Sequence, residues 1–459
     1  MATAQPNTLS VDTLRASVSG RVIGPSDDGY DAARTVVMGG LDRHPDVIVK
    51  PTTAADVATV VKLARETGST LAVKSGGHSS TGSSVSDGGI TIDLGDMRAI
   101  DIDAAARTAW VEAGATAAEV TAAADAHDLA IGFGDTGSVG VGGITTGGGV
   151  GYLVRKYGLT IDNLIAAEIV TADGQVRTID AATEPDLFWA IRGGGGNFGV
   201  VTRFRFRLQP LGEIVGGFLF QPATPDVIAG FMAAAEAASE DVGTILNVMP
   251  APPMPMIPEE HHGKLVAMSM IVSASGGDAG ERAVAPFKEL APPLADLVGP
   301  KRYPEMFPAE EGGDYHPLAV ARTMFMDTFD RAIAVDIVER LERGTAMMNA
   351  VQLRVLGGAM ARVPEDATAF AHRTSRIMVN VAAIYEDAAE RPTHLAWVEE
   401  TSSALRQGDS GAYVNFLAED GPERIRDAYP GATWDRLVQL KRRYDPDNLF
   451  RLNQNIPPA

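Results

Sequence analysis

Glycine clusters in the first half of this chain restrict what it can fold into more than any other feature. The first cluster is Lys74-Ser75-Gly76-Gly77-His78-Ser79-Ser80 and the second runs from Gly134 to Gly151. A third, Arg192-Gly193-Gly194-Gly195-Gly196-Asn197, leads into Phe198–Thr202. Loops of small residues let backbone N–H groups approach an anionic ligand, and glycine tolerates the positive φ angles of a concave loop. The first two loops are too extensive for ordinary turns and can cradle a long anionic ligand such as a dinucleotide pyrophosphate. The imidazole of His78 stands in the middle of the first.

The surrounding pattern places these loops. Asp46–Lys50 reads as a strand and a helix follows from Thr53, with Val57, Val60, Val61 and Ala64 at helical spacing and Gly68 as its stop. Thr70–Val73 is the next strand and runs directly into the His78 loop, so the loop lies at a strand's carboxyl end, where open α/β sheets bind ligands. Residues 89–94 and 108–112 read as strands, and Thr116 with Glu119 forms a capping box for an alanine-rich helix. A strand–helix–strand stretch then runs to Pro210. It ends in an alternating strand that sends Phe204, Phe206 and Leu208 to one face and Arg203, Arg205 and Arg207 to a solvated one. After Leu211 the glycine clusters stop. Met249–Pro258 is too proline-rich for regular structure and reads as an exposed loop, and an amphipathic helix around Trp434, Leu437 and Val438 precedes the tail.

Composition and missing motifs narrow the function. Thirty-nine Lys and Arg against 59 Asp and Glu give a net charge of −20, which argues against a nucleic-acid or anionic-membrane partner. With 459 residues, two domains of ordinary size are expected. The chain has no cysteine, which excludes disulfides, thiolate metal sites, a cysteine nucleophile and any cysteinyl cofactor link. No metal site is expected, and His261-His262 reads as a solvated pair. Neither a signal peptide nor a membrane-spanning run is evident, so a cytoplasmic location is expected. There is no P-loop. The dinucleotide fingerprint fails because Thr145 stands where the third glycine of Gly140-Val141-Gly142 would fall.

Six motifs in order carry a family resemblance: Ser-Gly-Gly-His-Ser (75–79), the glycine pattern of 140–151, Arg-Lys-Tyr-Gly-Leu (155–159) continuing to Asn163, Leu187–Thr202, Ala-Tyr-Val-Asn (412–415), and Tyr444–Ile456. With them the chain resembles the FAD-linked oxidases of the vanillyl-alcohol oxidase fold, berberine bridge enzyme-like branch. The resemblance implies an α+β protein with the two-domain PCMH-type FAD-binding fold. Residues 1–211 would form the FAD domain, 212–411 a substrate domain of antiparallel sheet backed by helices, and 412–459 a segment returning to the FAD domain.

It also implies roles. His78 would carry the single covalent link to the 8α-methyl of FAD, since the position where many relatives have a second, cysteinyl link is Thr136. Ser75, Gly76, Gly77, Ser79, Gly137, Ser138, Gly142, Gly143, Val200, Val201, Asn453 and Asn455 would line the cofactor. Val139 falls where relatives modulate oxygen access, and valine points to O2 as acceptor. The positions where relatives carry a base hold Phe416 and Asn380, neither of which accepts a proton at ordinary pH; either another group serves, with Tyr413 the nearest candidate, or the substrate loses its proton without help from the enzyme. The expected activity is oxidation of a C–H on a small alcohol, sugar or amine, with O2 reduced to H2O2. A flavin dehydrogenase, a natural-product tailoring enzyme and a non-enzymatic flavin-binding protein are the alternatives.

Overall fold

A computed structural model describes residues 10–307, 316–408, 411–418 and 421–458. Near its start lies the strand–helix–strand unit. The strand Val47–Lys50 leads to the helix Ala54–Thr67, whose N-terminus is closed by the Thr53 side chain accepting from the Asp56 amide and whose end turns on Gly68 at φ 66°. Val57, Val60, Val61 and Ala64 are its buried stripe. The chain then enters the strand Leu71–Lys74. Both strands run parallel to Ile90–Asp93, which lies between them, and Arg21–Ile23 pairs antiparallel with Val47–Lys50 at the edge. The Thr116–Glu119 capping box forms and opens the helix Ala117–Asp125.

The stretch to Pro210 keeps its helical crossover but winds it around a hairpin. Val176–Asp180 crosses through the helix Pro185–Ala190 to Val200–Arg207, and both strands are antiparallel to Leu164–Val170 between them. Ile100–Asp103 and Thr108–Glu112 complete this five-stranded sheet. Phe204 and Phe206 are fully buried while Arg203 and Arg207 are exposed, as their alternation predicts, whereas Arg205 between them is half-buried. The core of this half joins these faces to the buried residues Leu437 and Val438 of the helix Ala432–Tyr444.

Beyond Leu211 an antiparallel sheet dominates. Its seven-strand path runs Ala295–Asp296, Ile214–Pro222, Leu265–Ser273, Val242–Pro250, Met348–Val355, Ile377–Tyr385, Leu318–Met326, and Gly299–Lys301 adds an eighth strand beside Ile214–Pro222. Alternation along each strand gives the sheet two different faces. Leu246, Leu353 and Val379 pack with Phe231, Phe287, Ile337 and Val398 from the helices that cover one face. Asn247, Gln352 and Asn380, one residue along, point to the other. The proline-rich segment departs partly from expectation: Met249 and Pro250 end a strand, with Pro250 paired to Leu265. A terminal strand position tolerates the missing donor. From Ala251 onward the segment is irregular, with Met254 and Met256 exposed and Ile257 buried among Phe220 and Val266.

Buried arginines tie the sheet to the glycine-rich half. Arg155 donates to the carbonyls of Ala235 (2.7 Å), Ala238 (2.9 Å) and Val242 (3.2 Å), satisfying the carboxyl end of the helix Pro225–Ala237. Arg373 is fully buried and grips Asp162 through both terminal nitrogens, at 2.7 and 2.8 Å, while also donating to Thr368. Replacing Arg373 with Met strands the Asp162 carboxylate, so R373M is expected to lose about 3–5 kcal/mol of stability. Denaturant unfolding checks this, and a loss below about 1 kcal/mol, the range of surface pairs, contradicts it.

Candidate active site

Two of the glycine loops meet backbone against backbone. A Cβ built on Gly140 would lie 2.2 Å from the Gly76 nitrogen, and one on Gly76 would lie 2.3 Å from the Gly140 nitrogen. No side chain fits at either position. Ser75 stitches the contact, donating to the Ala113 carbonyl (2.6 Å) and accepting from the Gly142 amide (3.2 Å). Around this seam lies a cavity of about 450 Å³. Part of the Gly134–Gly151 run, expected as loop, is the helix Val141–Gly147. Glycine is a poor helix former, yet it admits a neighbour here: the Asn415 side chain lies where a Gly147 Cβ would be, donating to the Ile144 carbonyl at 3.2 Å.

Most of the expected residues converge on this cavity. Ser75, Gly76, Gly77, His78, Ser79, Val139, Gly142 and Gly143 line it, with Val200, Val201 and Asn453. Asn380, Tyr413 and Phe416 also line it. Ser138 is not among the lining residues, but its Oγ lies 2.9 Å from the Nε2 of His78, which is one of them. Gly137 and Asn455 are not on the wall. Gly137 packs on Ala118 and Phe307, and Asn455 lies beside the lining residues Asn453 and Gln454.

The tail reaches the cavity through a buried clamp. Lys441 and Asp445 are fully buried and paired at 2.7 Å, and the Lys441 ammonium also donates to the carbonyls of Asn197 and Phe450. Asp445 accepts the Leu449 and Phe450 amides. Asn197, from the third glycine cluster, accepts the Ile456 amide and donates to the Gln454 carbonyl. Burial pulls the Lys441 pKa down against the opposing pull of Asp445.

Two charged residues at the site escaped the sequence reading. Arg354 is 4 % exposed and contacts Asp135 at 2.6 Å, the Gln352 side-chain oxygen at 2.7 and 3.0 Å, and the Val150 carbonyl at 3.3 Å. Its guanidinium also lies 5.3 Å from the centre of the Phe416 ring. Both residues line the cavity. A signal was present in Gln352-Leu353-Arg354, polar residues at alternate positions of an apolar strand, but their partner lies 219 residues away. Tyr413 is buried, and its oxygen accepts the Gly149 amide and the Asn415 side-chain amide, both at 2.9 Å. Burial raises its pKa despite these donors, which act in the opposite direction.

The residues present fit FAD. Gly76, Gly77 and Ser79 line the cavity and their amides have no acceptor among the described residues, which leaves donors for a pyrophosphate. Among the described residues a Cβ on Gly143 would meet nothing within 4 Å, and the buried Oδ1 atoms of Asn380 and Asn453 lack partners. Fold and site together define a two-domain FAD-binding protein of the PCMH type.

Comparison with known proteins agrees. Residues 45–180 match the FAD binding domain family and 412–457 the berberine and berberine-like family. The chain is 31 % identical over 461 residues to (R)-6-hydroxynicotine oxidase of Paenarthrobacter nicotinovorans, covering 96 % of this chain and 97 % of that one. It is 29 % identical to an uncharacterized FAD-linked oxidoreductase of Bacillus subtilis (strain 168), covering 97 % and 98 %. The crystal structure of 6-hydroxy-D-nicotine oxidase from Arthrobacter nicotinovorans superposes with a TM-score of 0.86 at 27 % identity, covering 96 % and 99 %. The chain therefore belongs to the berberine bridge enzyme-like family of FAD-linked oxidoreductases. Among the described residues no helix is long and apolar enough to cross a membrane.

Substituting Gly140 with Ala pushes a methyl group into the Gly76 backbone. The G140A protein is expected to fold with most of its bound flavin lost, read as flavin absorbance per polypeptide. Retention of a full complement of flavin contradicts the seam as a requirement for binding.

Proposed function

We propose that the chain is an oxidase that removes a hydride from a C–H of a small alcohol, sugar or amine, with FAD bonded once to His78. Bound FAD supplies the redox chemistry, accepting the hydride and passing two electrons to O2 to give H2O2. The observation that carries the reading is the position of His78, on the cavity wall beside Gly76, Gly77 and Ser79, whose amides have no acceptor among the described residues, and in contact at Nε2 with Ser138. Gly76, Gly77 and Ser79 bind phosphate oxygens in this reading, and Asn453 supplies an uncharged hydrogen-bonding group near the ring. Val139 stands half-buried on the wall, small enough to leave room for O2. The name of the relative from Paenarthrobacter, an oxidase, supports O2 as acceptor. The divisions at residues 211 and 412 belong to the same reading, with the substrate held between the sheet and the glycine-rich half.

Besides its hydride, the substrate gives up an O–H or N–H proton. Phe416 and Asn380 cannot accept it, and the hydroxyl of Tyr413 stays protonated because burial holds its pKa above the ordinary value of about 10. In this reading the proton leaves to water, and Tyr413 positions the Gly149 backbone and Asn415.

Two experiments test these assignments. Acid-precipitated wild-type protein should keep its yellow colour in the pellet, whereas His78→Ala should release it to the supernatant. A colourless wild-type pellet from flavin-loaded protein sinks the covalent link. The pH profile of flavin reduction should show no enzyme-derived limb below about pH 9, because the raised pKa keeps the Tyr413 hydroxyl intact throughout that range. A limb at neutral pH that disappears in Tyr413→Phe would make Tyr413 the base.

A further inference from the structure

We infer that a row of uncharged side chains across the antiparallel sheet recognises the substrate, which enters without net charge and presents a hydrogen-bond donor to Asn380. This rests on the cavity being the redox site. Strand register places Asn247 opposite Gln352, Gln352 opposite Asn380, and Asn380 opposite Thr323. Residues directly opposite in a sheet project to the same side, so the four side chains form one polar rung on the face away from the helices. The neighbouring rung on that side contains the small residues Ala350, Ala382 and Ala321, of which Ala321 lines the cavity beside Asn380.

Arg354 sets the polarity of this rung. A guanidinium only donates, so Gln352 turns its oxygen toward Arg354 and donates through Nε2 to Asn247 Oδ1 at 2.8 Å. On the other side of Gln352 the relay stops. Asn380 lines the cavity, and its Oδ1 and the Thr323 Oγ1 are buried with no partner among the described residues. A buried acceptor left unpaired is costly, and a bound donor removes that cost. The charge on the described wall is already balanced, since Arg354 and Asp135 lie 2.6 Å apart and among the described residues no Lys, Glu or other Arg or Asp lines the cavity. A carboxylate or an ammonium entering here would be desolvated with no free counter-ion among the described residues, whereas a neutral O–H or N–H would complete the rung.

Two charge series of nearly constant shape test this on flavin-loaded enzyme. The first is D-glucose, D-glucuronate and D-glucosamine. The second is 4-methylbenzyl alcohol, 4-(hydroxymethyl)benzoate and 4-(aminomethyl)benzyl alcohol. Binding is read from perturbation of the flavin absorbance and turnover from anaerobic flavin reduction. The neutral member of at least one series should bind at least tenfold more tightly than its charged partners, about the effect of one hydrogen bond to a buried group. Asn380→Leu should erase that preference, and Asn380→Asp should turn it toward the cation, with flavin content and melting temperature reporting that each variant is folded. Tighter binding of a charged member by wild type, no binding of either neutral compound, or an unchanged preference in folded Asn380→Leu would overturn the inference. Neutral-selective binding without flavin reduction would leave recognition standing and count against the oxidation of these compounds.

Discussion

Two peptide backbones in contact at Gly76 and Gly140 hold the site together. Their nitrogen atoms lie where each other's side chains would be, so the residue choice is dictated by distance rather than by flexibility. The seam aligns the loop after Leu71–Lys74 with the start of the helix Val141–Gly147, and the first loop's residues line the cavity. His78 and Ser138 are brought within hydrogen-bonding distance across the same seam, from positions 60 residues apart. Little charge is needed to build such a site. Backbone dipoles suffice for an anionic ligand, which is how a chain of net charge −20 can hold a dinucleotide.

The wall facing the seam is built differently. It is a sheet whose two faces differ: aliphatic and aromatic residues toward the helices, amides and one compensated arginine on the other, of which Asn380 and Arg354 line the cavity. Buried polar groups cost stability unless satisfied, so a sheet face that leaves the Asn380 Oδ1 and Thr323 Oγ1 without partners among the described residues gives up stability at and beside the cavity wall. Arg155 and Arg373 lock the two halves by satisfying carbonyls and a carboxylate across the interface. The spacing between seam and sheet is thereby set by hydrogen bonds and does not rely on hydrophobic contact alone.

How much of this was legible in the residues depended on how local each interaction was. The helix after Thr53, the Thr116–Glu119 box and the Phe204–Phe206 alternation rest on neighbours within a few positions, and they were readable as such. The glycine clusters identified the ligand side because backbone approach leaves a compositional trace. Arg354 and Asp135 left none that could be paired by eye, being joined only when the sheet closes on the second glycine loop. The helix Val141–Gly147 was hidden for the opposite reason: its sequence is locally unfavourable and tertiary contacts with Asn415 and Ser75 override propensity. Strand order between residues 214 and 385 is likewise a non-local property, which no periodicity encodes.

The clamp formed by Lys441, Asp445 and Asn197 bears on how such a protein matures. Residues 449–456 are hung on that clamp, and with them Asn453 and Gln454 on the cavity wall. During synthesis the strands and loops of the amino-terminal half emerge hundreds of residues earlier, with one side of their hollow still missing. Such a half-built vessel exposes apolar core to the cell and invites association with other chains. Only when the tail has been translated and Lys441 has found its carboxylate does the container acquire its last side, so filling it belongs to the final stage of assembly.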